Sequence, residues 1–222
     1  MSFQDSLALG IFLIYNLYNY VILLVVLIGG YVFIIGYFIK SNSVNVVHYG
    51  SQHWIEFIWT VIPAVLLAVL AIPSLQVLYF LDEVSDPRLT IKVTGHQWYW
   101  SYEYGEADLK FDSYIVSDDI LNLGDRRLIE VDNRLILPRG LEIRFLITAA
   151  DVLHSWGVPS LGIKSDAIPG RLNQAVLLTD RCFVAFGGCY ELCGNGHRNM
   201  PVVIEIIPLR DWTTWYNEII NQ

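Results

Sequence analysis

The chain has 222 residues, of which 54% are hydrophobic, and it carries a formal net charge of −8 at pH 7. This apolar fraction is too high for an ordinary soluble domain, since such domains are about 45–50% apolar even when glycine is counted. The negative balance argues against nucleic acid as a partner, because nucleic-acid binding requires basic patches.

Two apolar segments without charged residues, 7–39 and 57–81, occupy the first part of the chain. Each is long enough to cross the hydrocarbon core of a membrane, about 30 Å, as a helix that rises about 1.5 Å per residue. We expect the spans at about residues 15–39 and 56–81. The connector between them is short, which predicts a hairpin with both chain ends on one side of the membrane. No basic, signal-like segment precedes the first span, so we expect no conventional secretory signal.

Glu56 lies at the beginning of the second span. An ionisable group beside a membrane span is a candidate for function, although at a helix end it can also reach the water among the lipid headgroups. Pro63 and Pro73 lie within the span and are expected to kink or divide it, which membrane helices tolerate when neighbouring groups satisfy the freed carbonyls. Such a helix is expected to pack against a larger membrane partner.

The chain changes character after Leu81. All but two of its 22 acidic residues and all but one of its 14 basic residues lie beyond that point, which predicts a domain in water. An acidic surface favours a basic protein as partner through electrostatic steering, although the same charge also keeps a domain soluble. We therefore assign residues 1–84 to the membrane hairpin and 85–222 to the water-exposed domain.

Short apolar or alternating runs separated by turns dominate this second domain, and the pattern is typical of a β-sandwich or barrel. The clearest runs are residues 89–93, 98–104, 109–116, 141–149, 176–178 and 202–207. A short amphipathic helix is expected at 209–220, where apolar residues recur at helical spacing.

A possible metal-binding loop lies between Cys189 and Met200. It holds two thiols, the imidazole of His197 and a thioether within twelve residues, and the chain has only one other methionine, Met1. Thiolate and thioether are soft ligands that favour copper, so the methionine argues against a plain zinc site. A disulfide between Cys189 and Cys193 stays open as an alternative outside the cytosol.

The number of cysteines bears on the number of metal ions. A trigonal copper site uses one Cys, two His and a weak Met ligand, whereas this loop offers two Cys. It could hold two copper ions if both thiolates bridge them, and the second ion then requires a histidine from elsewhere. The histidines outside the loop are His48, His53, His96 and His154. His154 is the best candidate, because it follows the strand-like run 141–149 while the first two lie in the hairpin connector.

Motifs along nearly the whole chain, together with this loop, resemble subunit II of the haem-copper cytochrome c oxidases, most closely the mitochondrial form. They are Glu56-Phe-Ile-Trp-Thr, Ile72-Pro-Ser-Leu, Gly95-His-Gln-Trp-Tyr-Trp-Ser-Tyr-Glu-Tyr104, Glu130-Val-Asp-Asn, Asp151-Val-Leu-His-Ser-Trp, Pro159-Ser-Leu-Gly-Ile-Lys and Asp166-Ala-Ile-Pro-Gly-Arg-Leu-Asn-Gln174. The resemblance implies a two-helix transmembrane hairpin, an all-β cupredoxin-like domain and a short C-terminal helix.

The resemblance also implies the cofactors. The dinuclear copper centre of the family, CuA, would be bound by His154, Cys189, Cys193, His197, Met200 and the backbone carbonyl of Glu191. The Glu191 carboxylate would bind Mg²⁺ shared with the catalytic subunit, subunit I, and a hard oxygen donor suits that ion.

By the same resemblance, this subunit accepts electrons from cytochrome c and passes them to the haem of subunit I, where dioxygen is reduced to water with proton pumping. Its expected partners are cytochrome c, subunit I, further oxidase subunits and membrane lipid, with no nucleic acid. The alternative is a membrane-tethered structural or assembly protein whose loop holds zinc or a disulfide, and Met200 and His154 argue against it.

Further roles carry over from the resemblance, each beside a structural alternative. Trp98 would receive electrons from docked cytochrome c at an exposed strand end near the copper, which is the interpretation we favour. Its alternating run with Trp100, Tyr102 and Tyr104 also fits a sandwich core, to which we assign Trp100. Glu56 would lie near a proton entrance. Acidic residues that would steer the basic cytochrome c, or else simply be solvated, are Glu103, Glu106, Asp108 and Asp132. Residues that would face subunit I, or else form a turn with an ion pair, are Lys164, Asp166 and Arg171.

The chain departs from the usual family pattern within the loop. Tyr190 stands where the family commonly has Ser, and Arg198 and Asn199 replace a more frequent Ser-Phe pair without changing the spacing. Ligation should persist, while the copper potential and docking can shift because outer groups tune metal sites. Cys182 matches no ligand position and is expected to be an unpaired packing residue. The compact chain and its motifs favour the mitochondrial inner membrane, with the copper domain in the intermembrane space, over a bacterial plasma membrane.

Overall fold

A computed structural model of the chain describes residues 7–41, 50, 52–82, 87–105 and 109–221. The chain divides into two compact units. One comprises Leu13–Phe80, and the other comprises the described residues up to Phe12 together with those from Leu81 onward.

Helices α1 (Leu9–Ser41) and α2 (His53–Asp82) contain the two apolar segments. Both are long and apolar enough to cross a membrane. Their side chains are mostly exposed beyond the first turns of α1, where Ile11 is buried, as expected for apolar helices that cross a membrane. Helix α1 begins six residues before the expected span. Helix α2 runs without interruption through Pro63 and Pro73, so the prolines do not divide it.

The described part of the water-exposed domain contains ten strands. They are β1 (Leu89–His96), β2 (Tyr99–Tyr104), β3 (Leu109–Ser113), β4 (Leu135–Pro138), β5 (Ile143–Ala149), β6 (His154–Val158), β7 (Ile163–Ala167), β8 (Asn173–Leu177), β9 (Phe183–Cys189) and β10 (Pro201–Ile207). They form two five-stranded sheets, ordered β3-β2-β1-β5-β8 and β4-β10-β9-β6-β7. The predicted β-sandwich following two apolar helices is confirmed.

Four of these strands, β4, β6, β7 and β9, are absent from the runs predicted from the sequence. They are short, or they contain glycine and polar residues, as in His154-Ser-Trp-Gly-Val. Their pairing depends on distant neighbours: β6 lies between β7 and β9. Tertiary context therefore overrides a weak local β preference here.

Large aromatic side chains fill the space between the sheets. Trp100, Tyr102 and Tyr104 of β2 are almost completely buried, together with Phe145 and Trp156. The Tyr104 hydroxyl donates to the Ile136 carbonyl at 2.6 Å, and the Trp156 indole donates to the Tyr102 oxygen at 3.4 Å. Since each such side chain buries roughly 150–250 Å², this core supports the strands that hold the candidate site.

The C-terminal helix α3 covers Leu209–Ile220, the range expected from its pattern. Trp212 is buried and donates from its indole to the Ile136 carbonyl at 3.2 Å. Trp215 and Tyr216 lie beside Tyr104, with ring centroids 6.0 Å apart in each case. The helix therefore packs its apolar side against the strand domain.

Candidate metal centre

Neighbouring strands bring the candidate ligands to one place. In the second sheet β9 lies between β6 and β10, and Trp156 of β6 pairs with Cys189 at the end of β9. His154 begins β6, and Met200 directly precedes β10. The chain from Tyr190 to Met200 connects β9 to β10 as a loop with one short 3-10 turn, His197–Asn199.

The two thiols form the middle of this site. Their Sγ atoms are 3.9 Å apart, so the cysteines are not joined as a disulfide. The Nδ1 atom of His154 lies 3.9 Å from Cys189 Sγ, and Nδ1 of His197 lies 3.5 Å from Cys193 Sγ. Each sulfur therefore has one imidazole nitrogen beside it.

Each sulfur also has one weaker donor atom nearby. The Met200 Sδ atom is 3.6 Å from Cys193 Sγ, and the backbone oxygen of Glu191 is 3.3 Å from Cys189 Sγ. The structure thus brings all six expected donor groups together, although their residues are up to 46 positions apart in the chain. The set consists of two thiols, two imidazoles, one thioether and one carbonyl.

The site is closed on the protein side. His154, Met200 and Cys193 are buried, whereas Cys189 and His197 are half-buried and Glu191 is exposed. The Trp100 indole donates to the Met200 carbonyl at 3.2 Å, and its ring lies edge-on to His154. The backbone N–H of Tyr190 donates to the Ser155 carbonyl at 2.9 Å. These contacts hold the donor groups in place from the protein side of the site.

The two thiols differ in acidity. Burial raises the pKa of Cys189, but hydrogen bonds to His154 and to the backbone of Ser155 and Glu191 outweigh it and lower that pKa to about 6. Burial, followed by the charge of Cys189, raises the pKa of Cys193 to about 12. Two adjacent thiolates repel each other, so the pair favours one negative charge until a cation binds.

Trp98 lies in the turn between β1 and β2, not on the strand face predicted for it. The turn reverses the chain one residue before β2 begins, so only Trp100, Tyr102 and Tyr104 of that run lie in the core. Trp98 is 37% exposed. Its indole donates to the Cys193 carbonyl at 3.2 Å, and the Gln97 amide donates to the same oxygen at 2.8 Å.

Asp151 and Gln97 contact the site, but the sequence assigned neither of them a role. Asp151 Oδ1 lies 2.8 Å from Nε2 of His154. Both residues stand inside motifs that were recognised, three positions before His154 and one before Trp98. Proximity in sequence to His154 and Trp98 is the only indication of a role that the sequence offers. It does not show which groups the Asp151 carboxylate contacts.

The two candidate docking acids that the structure describes make different contacts. Glu103 forms an exposed ion pair with Lys92 at 3.5 Å. Asp132 accepts hydrogen bonds from the backbone N–H groups of Tyr114 and Asn133, so it also stabilises a turn. Glu106 and Asp108 lie outside the described residues.

The remaining candidates, where the structure describes them, make contacts of their own. Glu56 is half-exposed in the first turn of α2, 3.5 Å from the ring of His53. His96 stacks on Tyr99, with ring centroids 4.5 Å apart. His48 lies outside the described residues.

The polar group expected to face subunit I, Lys164, Asp166 and Arg171, shows no ion pair among these described residues. Lys164 instead lies over the Tyr190 ring, 5.5 Å from its centroid. That ring covers Gly157, where an added Cβ would lie 2.6 Å from the ring. The Tyr190 ring can therefore occupy this position only because residue 157 has no side chain.

Cys182 is unpaired, but it is exposed in the turn before β9, so its expected packing role is wrong. The turn keeps its side chain outside the sandwich. Arg198 and Asn199 are exposed on the 3-10 turn.

Comparison with known families matches both parts of the chain. Residues 89–207 match the periplasmic domain of cytochrome c oxidase subunit II, and residues 1–77 match the transmembrane domain of the same subunit. A similar solved structure is the periplasmic domain of subunit II of cytochrome oxidase from Bradyrhizobium japonicum. It is 39% identical, the match covers 61% of this chain and 96% of that chain, and the TM-score is 0.57.

A second similar structure is that of a mixed disulfide intermediate between a thioredoxin-like protein and subunit II of cytochrome c oxidase. The identity is 38%, the match covers 61% of this chain and 93% of that chain, and the TM-score is 0.53. Both similarities concern the strand domain, which carries the candidate metal centre.

Proposed function

Because the chain belongs to the cytochrome c oxidase subunit II family, we propose that it accepts electrons from cytochrome c at a dinuclear copper centre and passes them to the haem of subunit I. The protein is thus a membrane-bound part of a haem-copper oxidase complex. In this role it supports the reduction of dioxygen to water and the coupled proton pumping that occur in the partner subunit.

The donor set around the two cysteines is the observation that carries this proposal. A metal ion that keeps metal–sulfur distances of about 2.3 Å can touch both sulfurs, because they are 3.9 Å apart. One imidazole and one weaker donor beside each sulfur can complete two such ions. The two thiols disfavour magnesium, and the thioether favours copper over zinc.

When bound, the copper pair supplies a one-electron redox centre. The residues of this chain hold the donor atoms so that they need to move little when charge changes. Cys189 ends β9, and Met200 directly precedes β10, which pairs with β9. The His154 ring packs against Trp100, and the backbone N–H of Tyr190 is hydrogen-bonded to the Ser155 carbonyl. Dense packing around a site resists rearrangement, which favours fast electron transfer.

Trp98 is proposed as the first acceptor of electrons from cytochrome c. Its ring is partly exposed, while its indole N–H donates a hydrogen bond to the carbonyl of Cys193. One side chain thus connects the protein surface to a candidate ligand without a gap. Trp100 has no such role, because it is completely buried.

Electrostatic steering of cytochrome c is assigned to Glu103, Glu106, Asp108 and Asp132. Charges at the rim of an interface raise the encounter rate without being desolvated, so the pairing of Glu103 with Lys92 and the turn contacts of Asp132 are compatible with this role. The acidic balance of the chain, −8 overall, supports a basic partner.

Two further carboxylates have proposed roles, one toward Mg²⁺ and one at a proton entrance. The exposed side chain of Glu191 would bind Mg²⁺ together with groups of subunit I, while its backbone oxygen faces Cys189. Glu56, at the start of α2, would lie near a proton entrance. The half-exposure of its side chain is compatible with contact to water.

We place the protein in the mitochondrial inner membrane, with the copper domain in the intermembrane space. The motifs of the chain, which resemble the mitochondrial form most closely, support this location. The similar solved structure from Bradyrhizobium japonicum is a bacterial periplasmic domain, so a bacterial plasma membrane with the domain in the periplasm is the other location to test. Fractionation of the source cells distinguishes the two.

Spectroscopy of the purified chain in detergent tests the function. After loading with copper we expect about two copper ions per chain and an electron paramagnetic resonance signal of one electron shared by two copper ions. Cys189→Ser should abolish that signal. Cys182→Ser is the matched control and should keep it, because Cys182 is an exposed free thiol outside the site. A colourless protein with one zinc ion would refute the proposal and support a structural or assembly role.

A further inference from the structure

The carboxylate of Asp151 connects two parts of the metal centre that are far apart in sequence. Its Oδ1 atom lies 2.8 Å from Nε2 of His154 and accepts the backbone N–H of Val152 at 2.6 Å. Its Oδ2 atom accepts the backbone N–H of Gln97 at 2.7 Å. One side chain therefore holds both the His154 imidazole and the turn between β1 and β2.

The first contact determines which nitrogen of His154 is available to a metal ion. An ionised carboxylate can only accept hydrogen bonds, so Nε2 must carry the proton. A neutral imidazole then has its lone pair on Nδ1, and Nδ1 is the nitrogen that lies 3.9 Å from Cys189 Sγ. Partners of this kind commonly fix the tautomer and orientation of a metal-binding histidine.

The second contact reaches the other side of the centre. Gln97, held by Asp151 through its backbone, donates from its side chain to the Cys193 carbonyl at 2.8 Å, and the adjacent Trp98 donates to the same oxygen at 3.2 Å. The Trp98 ring also lies against Gly196, where an added Cβ would be 2.4 Å from it. The turn is thereby fastened to the loop that contains both cysteines.

We propose that Asp151 is a positioning residue: it directs Nδ1 of His154 toward the two thiols and holds the Gln97–Trp98 turn against the metal loop. This inference rests on the proposed function, since it assigns a role toward the copper centre. It makes the geometry of the ligands and the position of the first electron acceptor depend on the same carboxylate. The side chain of Asp151 is 33% exposed, so a substitution there does not open the core.

The test uses the full chain in detergent with Asp151→Ala and Asp151→Asn. The alanine variant removes both contacts. The asparagine variant keeps a carbonyl that can accept from Nε2 of His154, but it turns an NH₂ group toward the Gln97 N–H. Asp180→Asn is the control, because Asp180 is an exposed acid in the turn before β9 and belongs to no part of the site.

Three measurements are made on each variant. In the copper-free chain, ¹⁵N NMR of the histidine rings, recorded at a pH at which the His154 ring is neutral, reports the tautomer of His154. In the copper-loaded chain, competition with a chelator gives the copper affinity, and electron paramagnetic resonance reports the environment of the copper ions. For Asp151→Ala we expect loss of the single Nε2-protonated tautomer, copper affinity about 10–100-fold weaker and an altered copper signal. Asp151→Asn should fall between Asp151→Ala and the parent, and Asp180→Asn should match the parent.

The possible failures are distinguishable. If the parent chain binds no copper pair, the proposed function is wrong, and the tautomer measurement in the copper-free chain still tests Asp151. If the parent binds copper while both variants keep the parent tautomer, affinity and signal, the positioning role is wrong. A lower melting temperature with an unchanged tautomer and copper signal would also overturn it, because the role would then be purely structural. Should the alanine variant fail to fold, the asparagine variant decides.

Discussion

Replacing Trp100 with Phe tests whether burial decides the contribution of the two tryptophans that support the metal loop. Trp100 and Trp98 each donate from the indole to a carbonyl of that loop at 3.2 Å, to Met200 and Cys193 respectively. They differ in exposure, which is 0% for Trp100 and 37% for Trp98. The two variants therefore compare the loss of the same type of hydrogen bond at a fully buried site and at a partly solvated site.

The expected cost of Trp100→Phe has two parts. The smaller ring gives up roughly 50 Å² of buried apolar surface, worth about 1 kcal/mol at ~25 cal/mol per Å². The Met200 carbonyl loses its indole donor in a buried place, which costs about 1–3 kcal/mol. We therefore expect the free energy of unfolding to fall by about 2–4 kcal/mol.

Trp98→Phe should cost no more than about 1 kcal/mol. The Cys193 carbonyl keeps its hydrogen bond from Gln97, and water can reach the partly exposed ring position. The two variants thus remove the same atoms, but the Met200 carbonyl loses its indole donor while the Cys193 carbonyl keeps a second donor, Gln97.

Guanidinium titration of the copper-free chain in detergent measures both effects, with near-ultraviolet circular dichroism to follow the strand domain. An unchanged slope with a shifted midpoint indicates a change in stability alone. A cost below about 1 kcal/mol for Trp100→Phe, or equal costs for the two variants, would show that burial does not decide the contribution of these tryptophans.

Three further predictions concern function. Met200→Leu should leave copper bound but change its reduction potential, because it removes a weak ligand; an unchanged potential in spectroelectrochemical titration would count against thioether ligation. Trp98→Phe should slow electron uptake while copper content stays the same, and unchanged turnover at limiting cytochrome c would contradict its role as first acceptor. Glu103→Gln should weaken the apparent affinity for cytochrome c at low ionic strength and have little effect at high salt; an equal loss at both would indicate a contact other than steering.

Local features of the chain were predictable because they depend on local physics. The apolar segments are confirmed as long helices, and α3 has the bounds expected from its repeat of apolar residues. The loop from Cys189 to Met200 could be recognised because four of its residues, two Cys, one His and one Met, carry metal-ligating chemistry within twelve positions. Neither inference required knowledge of a distant neighbour.

Other features were mispredicted or missed because they depend on pairing between distant segments. Strand β6 is not apparent from His154-Ser-Trp-Gly-Val, and it forms because β7 and β9 supply its hydrogen bonds. Trp98 was expected within a strand, at its exposed end; it lies instead in the turn before β2, where its indole donates to the metal loop. The sequence alone indicates no partner for Asp151. Only the fold brings its two carboxylate oxygens to His154 and Gln97.

The sequence by itself determined which donor groups the protein has and that its domain is tethered by apolar helices, since residue chemistry and hydrophobic length are properties of the chain alone. The tertiary structure decided how those groups are arranged: the 3.9 Å between the thiols, the nitrogen that His154 turns toward them, and the carboxylate that holds it there. The physical reason is that ligand distances and histidine tautomers are set by strand register and by hydrogen bonds across the sandwich. Those contacts join residues as far apart as Gln97 and Cys193.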